Sequence, residues 1–301
     1  MALLRHTGLS VLDVTKKMLD SSDVLIGNEF TFTDEAMAKI VEGSRPQAEI
    51  KKLMVQSYAA ALQLWRSAMD RRGIKAQDCQ HAGHPSLLYE FASLGWKYEV
   101  TRAQGCVEVI TAPAAARDLY AGDLAVAMDD CLFAVAKEAG LAAHATIGSG
   151  HINIDRSLAF GDDPDALLRF ILAYYEDSAY WKQEDGHHAS APFLEEHLPS
   201  QRAKFEELRN RFAAAKGGPA PWSIDRLSDE LVNVFDENLL GKSTRKSPHY
   251  QALNFEHLNA EKPGERRLEV RRVPAQRDRE HLLQHLHRLG MLLAAAKATM
   301  P

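Results

Sequence analysis

Residues 94–111 read L-G-W-K-Y-E-V-T-R-A-Q-G-C-V-E-V-I-T, and their period of two decides the fold class. Two apolar-rich runs, 94–102 and 105–111, flank a tight connection at Ala103-Gln104-Gly105, the pattern of adjacent antiparallel strands. In the second run Val107, Val109 and Thr111 alternate with Glu108 and Ile110. Pro113 ends it, because proline has no N–H to give to a ladder.

Outward from this pair, residues 114–140 predict a helix with Gly140 as its C-cap, and T-I-G-S-G-H-I-N-I-D at 146–155 predicts a glycine-bearing turn running into a strand. Towards the N-terminus, D-V-L-I-G-N-E-F-T-F at 23–32 predicts a strand, and residues 1–22 a lead-in with a short helix. Between them, Ile50, Leu53, Met54, Tyr58, Ala61, Leu62 and Trp65 recur at helical spacing and predict one long amphipathic helix over 46–72. Residues 163–182, 199–216 and 223–238 predict three further helices, the first with Asp163 and Pro164 as N-cap and first residue. Gly217-Gly218-Pro219 separates the last two. Strands at 250–257 and 266–273 and a helix at 278–297 close the chain. Strands come in neighbouring pairs with helices between the pairs. This predicts an α+β fold with a largely antiparallel sheet and a mainly helical insert at about 160–240, not a doubly wound parallel sheet.

With 301 residues, 46% hydrophobic and 26% charged, the chain has the composition of a globular protein that forms a core without staples. A net charge of -5 argues against a nucleic-acid partner. Cys79, Cys106 and Cys131 are odd in number with no paired spacing, as expected of reduced core thiols. The first twenty residues carry scattered charges and lack the apolar run of a signal peptide, and no stretch has the ~18 apolar residues of a membrane span. A soluble, cytoplasmic protein without membrane partners is expected.

The carboxylates fall in unusual places. Glu29, Glu108 and Glu269 each sit inside an apolar strand segment, as does Glu99 in W-K-Y-E-V-T, while His151 opens a strand in S-G-H-I-N-I. Acids are rarely buried unless paired or bound to metal. Four acids and an imidazole facing one cavity would need a cation, and oxygen-rich sites with an occasional histidine suit Mg²⁺ or Mn²⁺. Each acid taken alone also fits the wet face of an amphipathic strand. Glu269 and Arg271 lie two apart and so face the same side, which either sets a metal-type carboxylate beside a phosphate-type guanidinium or makes a salt bridge within the strand. G-K-S-T-R-K-S at 241–247 is rich in donors but lacks the spacing of a P-loop. His187 and His188 stand in a polar stretch and read as exposed loop residues.

Taken together and in order, five segments resemble the amidoligases of the glutamine synthetase and glutamate–cysteine ligase superfamily. G-N-E-F-T-F is similar to the family's first strand, and Y-E-V-T-R-A-Q-G-C-V-E-V-I-T-A-P to its pair of metal-binding glutamates around a turn. G-S-G-H-I-N-I is similar to its G-x-H-x-H strand, R-K-S-P-H-Y-Q-A-L-N-F to the segment before its last strands, and R-R-L-E-V-R-R to its terminal E-x-R strand. The resemblance implies a curved, mostly antiparallel sheet forming the active-site cavity. It also implies an ATP- and Mg²⁺- (or Mn²⁺-) dependent ligase that joins a small carboxylate to an amine, or acts on a peptide or protein, and that can form oligomers. By position, it implies metal binding by Glu29, Glu99, Glu108, His151 and Glu269. Arg271 would steady the transferred phosphoryl group, Arg245 would contact ATP phosphates, and Asn254 would lie beside the site; catalysis would fall to Arg271, Glu269 and Glu108. Two positions depart from the pattern. Thr31 stands where a second Glu is expected, and Asn153 where a second His is expected. These departures leave room for a fold-retaining binding or scaffold protein, and the acids alone for a metal-dependent amide hydrolase. Substrate choice is expected in the helical insert, where Tyr174, Tyr175, Tyr180 and Trp181 are candidate contacts if exposed, although aromatics at helical spacing are more often core.

Overall fold

Strand β1 (Leu25–Phe32) stands at the middle of the sheet, and its alternation sorts the molecule into an apolar side and a polar side. The computed structural model describes residues 24–44, 46–103, 105–182, 191–216, 218–235 and 251–298. After β1 come helices α1 (Glu35–Glu42), capped by the Asp34 side chain, and α2 (Gln47–Arg71). Two hairpins follow, β2 (Gln77–His81) with β3 (His84–Phe91), then β4 (Trp96–Ala103) with β5 (Cys106–Thr111). The short β6 (Ala114–Ala115) pairs with the start of β1. Helices α3 (Ala116–Tyr120), α4 (Asp123–Met128) and α5 (Ala134–Glu138) follow, the last two joined by a π-turn at Asp129–Phe133. Strand β7 (Gly150–Asp155) leads into α6 (Arg156–Phe160), α7 (Pro164–Glu176), α8 (Ser178–Trp181), α9 (Pro199–Lys216) and α10 (Ile224–Phe235). The chain closes with β8 (Leu253–Asn254), β9 (Arg267–Val273) and α11 (Arg279–Lys297).

The fold is α+β, with one open nine-stranded sheet of order β2-β3-β4-β5-β1-β7-β9-β8, β6 lying off this path on β1. Every pair along it is antiparallel. No helix among the described residues is long and apolar enough to cross a membrane.

Partners directly opposite one another in a ladder share a face, so the register sorts the side chains. Phe30 pairs with Val109, Phe32 with Val107, Val100 with both Leu87 and Val109, and Ile152 with Val270. All of these are buried on one face. Helix α2 supplies Tyr58, Ala61, Trp65, Ala68 and Met69 to that face, and the π-turn supplies Phe133, whose ring meets Phe30 edge-on at 5.2 Å. Trp65 packs between Phe32 and Tyr98, with centroids 6.2 and 6.3 Å away. Leu167, Phe170, Ile171 and Tyr174 of α7 belong to the same continuous core, so the helical region is built onto the sheet and does not hang from it. Tyr174, Tyr175 and Trp181 are core residues at 0, 5 and 1% exposure, the reading that helical spacing favours, and are not available as substrate contacts; Tyr180 is half-buried.

Three elements differ from the sequence expectation. The helix expected over 114–140 is broken, because Gly122 takes a positive φ of 93° and Ala114–Ala115 is drawn into the sheet. The strand expected over 250–257 is only two residues long, Leu253–Asn254. The β2–β3 hairpin is an addition that hydrophobic period alone does not announce. The expected segments 1–22, 184–190 and 241–248 lie largely outside the described residues.

Truncating the pivot of the apolar face is expected to cost about 3–5 kcal/mol, since Phe30→Ala leaves a cavity that packed neighbours cannot fill. Urea denaturation of the variant checks this.

Candidate metal centre

Glu29 lies between the buried anchors Asn28 and Phe30, so the strand's alternation turns it to the opposite, polar face. Its cross-strand partners are Ile110 on one side and His151 on the other. Thr31 pairs with Glu108, and Glu108 in turn with Thr101. Across β7, Asn153 pairs with Glu269, and Glu269 with Asn254. Arg267 and Arg271 flank Glu269 at period two. Glu29, Glu99, Glu108, His151, Asn254, Glu269 and Arg271 therefore issue from a single face of one sheet, although 242 residues separate the first from the last. Arg245 lies outside the described residues.

The tightest convergence is Glu29, His151 and Glu269, whose donor atoms all lie within 4.8 Å of one another. A register shift between Gly150 and Ile152 puts one extra residue in β9, so that Arg271 and Arg272 together stand opposite His151, a bulge of the kind that re-aims a side chain. The His151 Nδ1 stands 2.7 Å from Glu29 Oε2 and 3.2 Å from Glu269 Oε1, and its Nε2 lies 3.0 Å from Ser149 Oγ. Arg271 donates to Glu269 Oε1 at 2.9 Å and Asn254 donates to Oε2 at 2.5 Å. Asn153 donates to Glu29 Oε1 at 3.4 Å and accepts from Arg267 Nε at 3.0 Å.

Both departures from the family pattern are thus built into this packing. Thr31 Oγ1 donates to the Ser149 carbonyl at 2.9 Å. Gly148 holds a φ of +78° against Thr31, where any Cβ would stand 2.4 Å from Thr31 Oγ1. The turn fills the space that a longer acid at position 31 would need. Asn153 instead links Glu29 to the guanidinium of Arg267. Arg267 escaped the sequence reading, although its period-two spacing from Glu269 and Arg271 marks it.

Glu99 and Glu108 occupy different ground. Glu99 and Glu29 share Ile110 as a common cross-strand neighbour, so the two acids are two strand spacings apart, ~10 Å. Glu99 accepts from Ser86 Oγ at 2.5 Å and lies 3.4 Å from His81 Nδ1. Glu108 sits one row along, between these two groups.

The electrostatics follow the contacts. Burial raises the Glu29 carboxyl, but the His151 hydrogen bond and charge, with Arg271 and Asn153, outweigh it and bring the pKa down to about 2. Burial works against charging His151, yet the bond to Glu29 raises it above its ordinary value. Burial, reinforced by the Glu29 charge, pushes Glu108 up to about 7. Without an ion, a shared proton on His151 and the charge of Arg271 balance Glu29 and Glu269. The donor set of two carboxylates and one imidazole fits a divalent cation such as Mg²⁺ or Mn²⁺. Such an ion must displace the proton from the imidazole.

No family model, no curated protein and no solved structure matches the chain.

Glu108 carries a stability signature. Its carboxyl is harder to ionise in the folded chain than an ordinary glutamate, with its pKa of 4.5, so folding is penalised as pH rises above 4.5 and fully penalised above about 7. A lift from 4.5 to about 7 corresponds to about 3 kcal/mol. Glu108→Gln is therefore expected to raise the melting temperature by several degrees at pH 8 and to leave it nearly unchanged at pH 4.5. Thermal denaturation at the two pH values reads the difference.

Proposed function

We propose that this chain is an ATP- and Mg²⁺-dependent carboxylate–amine ligase, built on a glutamine-synthetase-like sheet. One observation carries the reading: acids and an imidazole distant in sequence meet with Arg271 and Asn254 on one polar sheet face, and three of them come within coordinating distance of a common point.

In this reading Glu29, His151 and Glu269 hold the cation. Glu108 stands beside them, and Glu99, ~10 Å from Glu29, lies too far out on the face to share that ion. The bound ion supplies charge neutralisation to the phosphate oxygens of ATP. Arg271, held at 2.9 Å by Glu269, is aimed to steady the transferred phosphoryl group. An oxygen of the substrate carboxylate forms a bond to the γ-phosphorus as the bond to ADP breaks, giving an acyl phosphate. The amine nitrogen then bonds to the acyl carbon, phosphate leaves with the C–O electron pair, and the amine gives up a proton. Glu108, half-buried and raised to about 7, is suited to take up that proton near neutral pH. Arg267, tied to the site through Asn153, adds positive charge for an anionic substrate.

The test uses purified full chain with Mg²⁺, ATP, a panel of amino acids and dicarboxylates, and hydroxylamine as a general amine. ADP and hydroxamate should form together, and only with a suitable carboxylate. Arg271→Ala should lower the rate about 10²–10³-fold, the usual loss for a group that stabilises transition-state charge. His151→Ala should abolish Mg²⁺-dependent binding of a nonhydrolysable ATP analogue. Full activity in both variants, or no metal-dependent nucleotide binding by the parent chain, would sink the proposal.

Because the ion and a proton compete for His151, Mn²⁺ binding followed by electron paramagnetic resonance should weaken as pH falls through the raised histidine pKa. His151→Gln should remove most of that dependence.

A further inference from the structure

The imidazole of His151 has two nitrogens, and only one of them faces the carboxylates. Nδ1 stands 2.7 Å from Glu29 Oε2 and 3.2 Å from Glu269 Oε1. Nε2 lies across the ring, towards the turn that precedes β7, and meets Ser149 Oγ at 3.0 Å. Both residues are buried, so the hydroxyl holds the place that water takes beside an exposed histidine.

The turn that carries Ser149 is clamped on both flanks. Gly148 holds a φ of +78°, and a Cβ there would collide with the side chain of Thr31 on β1. A Cβ at Gly150 would collide with the amide of Gln276, in the connection between β9 and α11. Gln276 is fully buried and its Nε2 donates to the Pro274 carbonyl at 2.7 Å, which fixes that amide in turn. Between the two glycines, the Ser149 carbonyl accepts from Thr31 Oγ1 at 2.9 Å. The backbone of G-S-G is thus held by two separate parts of the structure, and Ser149 is its one side chain.

The chemistry of the ring gives that side chain a task. A neutral imidazole carries a proton on one nitrogen and a lone pair on the other. Were Ser149 Oγ to donate to Nε2, the proton would sit on Nδ1, and the ring would offer no lone pair beside Glu29 and Glu269. When Oγ accepts, Nε2 keeps the proton and Nδ1 is left to ligate. A charged ring donates from both nitrogens, so the same acceptor serves before and after an ion replaces the Nδ1 proton.

We propose that Ser149 is a positioning residue, which keeps a proton on His151 Nε2 and thereby presents Nδ1 as the ligand atom of the metal centre. The inference rests on the metal-binding part of the reading above and not on the ligase reaction. It assigns to the G-S-G turn a role in ion affinity that its contacts to Thr31 and Gln276 make rigid.

The full chain is titrated with Mn²⁺ alone, followed by electron paramagnetic resonance. Ser149→Ala is expected to loosen Mn²⁺ about 10–100-fold, the usual loss for a group that orients a metal ligand. Ser149→Cys keeps nearly the same shape but accepts weakly, so it should lose affinity as well, and it carries the comparison should the alanine variant fail to fold. Far-ultraviolet circular dichroism of each variant reports the fold. Nitrogen-15 magnetic resonance of the Mg²⁺-loaded parent, with His151 assigned by difference from His151→Gln, should show the ring proton on Nε2. That proton's resonance should move upfield in Ser149→Ala, where its acceptor is gone, a change that a purely structural role would not produce. Unchanged Mn²⁺ affinity in a folded Ser149→Ala or Ser149→Cys chain, or a ring proton on Nδ1 in the loaded parent, overturns the role and leaves the metal centre standing. A parent chain that binds no Mn²⁺ overturns the metal centre and this role with it.

Discussion

Two carboxylates lean on the same nitrogen of one imidazole, and the polar face is organised around that contact. Glu29 and Glu269 come from strands on either side of β7, and in a half-buried setting their charges would repel. The His151 proton and the Arg271 guanidinium hold them together. Asn153, Asn254 and Ser149 fix the remaining lone pairs and the ring orientation. The arrangement is preorganised and charge-balanced; in the proposed reading a cation would exchange with a proton and would not have to gather the ligands.

That balance is possible because the opposite face is so firmly anchored. Phe30, Phe32, Val107, Val109 and Ile152 alternate with Glu29, Thr31, Glu108 and His151, and the same backbone that buries the first set presents the second. Glu108 is the exception to local comfort. It is left with a raised pKa and, among the described residues, no cation as close as His151 is to Glu29. Its cost to the resting fold is the feature on which the proposed role as proton acceptor rests.

Much of this was legible in the sequence, and the reasons for the rest are physical. Period two in residues 94–111 and 266–273 is strong because each strand has one fully buried face, and it placed Glu99, Glu108, Glu269 and Arg271 on strands. Helices α2 and α11 followed from apolar spacing. Strand β2, Q-D-C-Q-H, has no apolar alternation because it is an exposed edge, so its hairpin was invisible; the expectation of a core thiol suits buried Cys106 better than Cys79. That Glu99 and Glu29 are held apart by Ile110 depends on register, which spacing within a strand does not encode. Nor does a sequence disclose that the turn at Gly148 has filled the room beside Thr31.

The alternation in β1 also bears on how such a chain can vary. Insertion or deletion of one residue between Leu25 and Phe32 would rotate the downstream half of the strand by one face. Aromatic rings would enter the acidic face and a carboxylate the oily interior. Length polymorphism among descendants of this protein should therefore collect in connections and in the helices between β7 and β8, while the central strands drift only by substitution.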